Sequence, residues 1–155
     1  MRSLLALFIS SMLVNLAAIS RTIDAIAPTT EVFDQYGEIS WENEKARLDN
    51  LAIQLQNDER LVGYVVVFDA VGGCPGEAQA RAIRAKRYVV DHRGIASNRV
   101  IWRRDGYLEG LSTILQPVTR DISLPFPLLS TVSGRDGVMS RRCKARLTQI
   151  RNSRW

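Results

Sequence analysis

Histidine is almost missing from this chain and cysteine is scarce, with one histidine, His92, and two cysteines, Cys74 and Cys143. A structural zinc site draws its ligands from Cys and His at close, regular spacings, and no such spacing occurs here. A histidine-centred acid–base site has a single candidate. The neighbours Asp91-His92 with Ser97 or Ser112 read better as a helix-end histidine favoured by the helix dipole than as a triad. Aromatic residues are few, at 7%. Tyr88 and Trp102 are expected in or beside a core rather than as stacking platforms, and Trp41 at the start of a helix. Internal repeats are absent, which removes solenoids and propellers. Composition argues against wholesale disorder and against a polytopic membrane protein.

What is present suits one globular domain with tails: 155 residues, 46% hydrophobic and 24% charged. The first part stands apart, because Met1-Arg2 precedes an uncharged apolar run from Leu4 to Ile19 that ends before Arg21 and Asp24. That is the layout of a signal peptide, shorter than a spanning helix requires, so residues 1–20 are expected to be a leader. Cleavage after Ser20 fits the small-residue rule, and so does cleavage after Ala27. A periplasmic or otherwise exported protein follows. For Cys74 and Cys143, a disulfide, two small buried residues or two free thiols all fit the sequence.

Glu31 to Gly37 alternates like a short strand entering a turn. From Trp41 to about Asn57 the period becomes helical, with Leu48, Leu51, Ala52 and Leu55 on one face and Glu44, Lys45, Arg47 and Asp49 on the other. Gly63 to Asp69 is a continuous β-branched and aromatic run, the mark of a central strand covered on both faces. The loop Val71 to Gly76 leads into a second helix, Glu77 to Asp91, whose inner stripe is Ala78, Ala82, Ala85 and Val89. His92-Arg93-Gly94 stops it. A short strand at Arg99–Trp102, a turn at Asp105-Gly106 and a last strand at Leu111–Val118 complete a β-α-β-α-β-β order. The fold class is therefore α/β, an α+β sandwich with helices packed on a sheet. After Thr119, Pro125 and Pro127 break any element. Beyond them come Arg135, Arg141, Arg142, Lys144, Arg146, Arg151 and Arg154 against one acid, Asp136, which reads as a basic, poorly ordered tail over residues 119–155.

Residues 31–118, with this element order, resemble the OmpA-like, peptidoglycan-associating domain. Val32-Phe33-Asp34 resembles that family's opening strand, and Leu48-Asp49-Asn50-Leu51-Ala52 lies in what resembles its first helix. The stretch Glu77 to Ile95, with its Arg84-Ala85 pair and closing Gly94-Ile95, is similar to its second-helix signature. The resemblance implies a mixed sheet and a periplasmic module that grips the diaminopimelate of the peptidoglycan stem peptide between an arginine and an aspartate. Such a zwitterion needs a guanidinium for its carboxylate and a carboxylate for its ammonium. Arg84 matches the arginine. The family's aspartate position holds Val71, with Asp69 the nearest carboxylate, and Glu109-Gly110-Leu111-Ser112 stands where the family often carries a second arginine.

Two readings of function follow. The first is a non-enzymatic cell-envelope protein that binds peptidoglycan through Arg84 and Asp69. The second is a degenerate domain of the same kind that serves as a protein-interaction module. A more distant third uses Cys74, at a helix start, as a nucleophile. Gly72 to Gly76 lacks the Gly-Lys-Ser/Thr of a phosphate loop and reads as a connecting turn. No metal and no cofactor is expected. The partners expected are a peptidoglycan stem peptide or an envelope protein, with no specific nucleic acid; the basic tail suits an anionic surface.

Overall fold

In the computed structural model, residues 31–121, 129 and 131–153 are described. The leader expected at residues 1–20 and its cleavage points lie outside them. The fold is α+β. Four strands, β1 (Asp34–Tyr36), β2 (Leu61–Ala70), β3 (Val100–Leu108) and β4 (Ser112–Thr119), form one sheet in the order β1-β4-β2-β3. β2 runs parallel to β3 and antiparallel to β4, and β1 is antiparallel to β4. The helices are α1 (Trp41–Asn57), α2 (Glu77–Arg87) and α3 (Arg141–Asn152), with a π-helical turn at Tyr88–His92 and a 3-10 turn at Ser97–Arg99. Among the described residues, no helix is long and apolar enough to cross a membrane.

β2 organises everything else. Its side chains alternate between two cores, as a pleated strand requires. Val65 and Val67 join Leu48, Leu51, Ala52 and Leu55 of α1 and Ala78, Ala82 and Ala85 of α2. Val66 and Phe68 join Ile114 on the other face, where Val32, Tyr64, Leu108 and Leu129 cover them. Glycine at position 63 lets α1 lie close to the sheet, since a Cβ there would sit 2.8 Å from Leu55 Cδ1.

The ends of α1 are both satisfied. Ser40 accepts from the Asn43 N–H at 3.3 Å. At the far end Arg99, from the short turn before β3, donates to the carbonyls of Leu55 and Asp58, at 2.7 and 2.8 Å. α2 passes into a wider π-helical turn, Tyr88–His92, before Gly94 reverses the chain. Tyr88 is buried in that turn, its ring edge-on to Trp41 at 5.6 Å and its hydroxyl donating to Asp49 at 2.7 Å.

Two expectations are corrected. Asp105-Gly106 is not a turn. β3 runs through it, and between the pairs Val67–Arg104 and Asp69–Tyr107 the two residues Asp105 and Gly106 stand opposite the single Phe68, so the positive φ of Gly106 serves a β-bulge. Nor is the segment after Thr119 a disordered tail over its described length. Val132 N–H donates to the Tyr107 carbonyl, Gly72 N–H to Arg135 and Gly137 N–H to Gly73, tying the returning chain to the β2–α2 loop. α3 then begins at Ser140, which accepts from the Cys143 N–H at 3.1 Å. It buries Cys143, Leu147 and Ile150, the last two against Ala80 of α2. These three recur at i, i+4 and i+7, an apolar stripe masked in the sequence by the surrounding arginines. Cys74 and Cys143 form a disulfide, with Cα atoms 5.4 Å apart, which fastens the start of α3 to the start of α2.

A cross-link spanning 69 residues restricts the unfolded chain by about 4 kcal/mol in the loop-entropy account. Cys143→Ser is therefore expected to lower stability by about that amount. Hydrogen exchange is expected to locate the loss, with α3 amides deprotected before those of β2 and β4. Tyr88 generates a second expectation. Burial, the hydrogen bond to Asp49 and the Asp49 charge push its phenol from 10.0 up to about 12. A raised pKa contributes stability below pH 10 that is lost as pH climbs towards 12. Urea unfolding across that window should show a steeper decline for the unaltered chain than for Tyr88→Phe.

Candidate functional site

Arg84 lies on the side of α2 that meets the first turn of α1. Its guanidinium pairs with Glu44 and stacks over the Trp41 ring, 4.2 Å from the centroid. Glu44 is 1% exposed and also accepts from the Tyr36 hydroxyl at 3.4 Å. Burial raises the Glu44 carboxyl, with Arg84 and Arg81 pulling the other way. Burial likewise lowers the Arg84 guanidinium, against the Glu44 charge. Desolvation is the largest influence on both members, as expected of an interior ion pair.

Asp69 is the penultimate residue of β2 and is 3% exposed. Its parity matches Val65 and Val67, so it faces the helices, and it accepts from the Ala78 backbone N–H in the first turn of α2. That contact has a local reason. The residue starting α2 is Gly76, which has no side chain to cap the helix, and Asp69 supplies a carboxylate from the neighbouring strand. Arg104 of β3 pairs with the same carboxylate and reaches Asp136 at 3.0 Å. Burial raises the Asp69 carboxyl, while the hydrogen bond from Arg104 lowers it. Arg104 is raised, chiefly by that hydrogen bond.

The two side chains singled out in the sequence do not share a cleft. Asp69 lines a small one of ≈ 310 Å³ with Cys74, Glu77 and Arg146. Arg84 lines two others, of ≈ 460 and ≈ 690 Å³, on the faces of α2 that flank α3. Between these sites lies a cluster that sequence reasoning missed. Arg81 donates to Glu77 at 3.0 Å, Arg146 of α3 donates to the same Glu77 oxygen at 2.7 Å, and Arg146 also pairs with Glu38 before α1. The Glu77–Arg81 half was legible as an i, i+4 pair. The Arg146 half was not, because it depends on α3 docking.

No family model matches this chain, and no curated protein or solved structure does. The chemistry open to the site is accordingly read from its residues. Cys74 offers no nucleophile, since its sulfur is bonded to Cys143. The Gly72–Gly76 loop spends backbone donors inside the protein, Gly72 N–H on the Arg135 carbonyl and Gly73 N–H on Ala70. The buried carboxylates Glu44, Asp69 and Glu77 each pair with a guanidinium, of Arg84, Arg104 and Arg81 respectively.

The Arg84–Glu44 pair can be tested as a structural unit. Arg84→Ala leaves a buried carboxylate alone and is expected to cost about 3–5 kcal/mol. Arg84→Met with Glu44→Leu should recover most of that loss in urea unfolding. A double variant as unstable as the single one would contradict the pairing.

Proposed function

We propose that this chain is a non-enzymatic, exported cell-envelope module of the OmpA-like kind that has given up diaminopimelate binding and works through protein interaction. The observation carrying this reading is that Arg84 and Asp69, the two side chains available to grip the zwitterion, are each buried against an internal partner, Glu44 and Arg104. Binding a stem peptide through them would first break two interior ion pairs and uncap α2, a loss that new contacts would have to exceed. The resemblance in element order and in the Glu77 to Ile95 stretch supports the family reading. The disulfide supports export, because such cross-links persist in oxidising compartments. For a partner, α3 presents Arg141, Arg142, Lys144 and Arg151 to solvent with no acidic residue along its length, so an acidic protein surface is the matching chemistry.

Calorimetric titration of the oxidised chain with a diaminopimelate-containing stem peptide at low and moderate salt is expected to give no binding heat. Saturable binding that disappears in Asp69→Asn would reverse the proposal and restore peptidoglycan association.

A further inference from the structure

α3 lies across α2 through Leu147 and Ile150 on Ala80 and leaves a cleft of ≈ 690 Å³ beside that contact. Its volume falls within the range of small-molecule sites. Ala80 and Ile83 give it an apolar floor, and Arg84, Arg87 and Arg151 stand in its walls with Gln79 and Ser153. Among the described residues, no carboxylate lines it.

The three guanidiniums differ in how far they are already spent. Arg84 pairs with Glu44, yet its Nε is a buried donor with no hydrogen-bond partner, in a side chain only 9% exposed. A left-over buried donor of this kind is uncommon in a finished interior. Arg87 and Arg151 are exposed and form no ion pair among the described residues, although acid-pairing arginines abound elsewhere on the same helices. Gly76, at the positive end of α2, lies on the rim. The end of α3 brings carbonyl groups of opposite sign, so recognition must come from the guanidiniums. Their planar donors suit a carboxylate or phosphate, and the alanine–isoleucine floor suits a hydrocarbon.

We infer that this cleft between α2 and the end of α3 binds an anionic amphiphile, its head group on Arg87 and Arg151 beside Arg84 and its apolar body along Ala80 and Ile83. The head group can belong to a free alkyl carboxylate or phosphate, or to an anionic lipid. The inference shares Arg84 with the diaminopimelate reading but rests on Arg87 and Arg151 and does not use Asp69, so it can hold whichever way the stem-peptide titration turns out.

The test is calorimetric titration of the full oxidised chain with decanoate and decyl phosphate, below their micelle-forming concentrations, with decanol as the uncharged control. Both anions are expected to bind and the alcohol to bind far more weakly. Arg87→Ala with Arg151→Ala, both exposed, should weaken the anions by about tenfold or more at unchanged melting temperature. Ile83→Asp should weaken them as well. Sedimentation with phosphatidylglycerol and phosphatidylcholine vesicles separates the two sources. Pelleting with the anionic vesicles alone, competed by decyl phosphate, assigns the lipid. Solution binding without pelleting assigns the free amphiphile. Absence of binding by either anion, equal binding of decanol, or full affinity in the double arginine variant would overturn the inference.

Discussion

A strand with no polar face must be enclosed on both sides, and β2 imposes that requirement on the whole chain. Val65 and Val67 demand the helices, while Val66 and Phe68 demand cover from the opposite side. α1 and α2 meet the first demand with Leu48, Leu51, Leu55 and the alanine stripe. The second is met from scattered positions, Val32 just before β1, Tyr64 of β2 itself, Leu108 of β3 and Leu129 beyond β4. Placing β2 beside β3 and β4 then leaves β1 as a short edge strand.

Charge inside such a small domain is tolerable only in matched sets. Glu44, Asp69, Glu77, Arg81 and Arg84 are all buried, and each is answered by a side chain from another element or from one turn away. The sets join α1 to α2, β2 to β3, and α2 to α3. Such interior pairs are weak sources of net stability, yet removing one partner leaves a buried charge uncompensated. A residue type that looks like a ligand anchor in the sequence becomes, in this setting, a fastener.

The legible parts of the fold were those written in local periodicity. The stripe Leu48, Leu51, Ala52, Leu55 and the apolar run of β2 announced α1 and the central strand, and the alanine stripe announced α2. Asp105-Gly106 misled because a glycine at positive φ serves a turn and a bulge equally, and the choice rests on the pairing of β3 with β2. α3 was hidden by its arginines. The candidate site was legible only by halves. Arg84 and Asp69 could be named from their context, but their partners lie 40 and 35 residues away, where no spacing rule reaches. The pairing of the two cysteines was one of three readings that the sequence left standing.

The position of Cys143 also sets an order of events during synthesis. β4 ends at Thr119, so every described strand and both core helices are synthesised before the second cysteine is added. Cys74 therefore has no partner cysteine within the chain until Cys143 is added, and Leu147 and Ile150, which cover Ala80, come later still. The bond that latches α3 onto α2 thus depends on the last described helix to be synthesised.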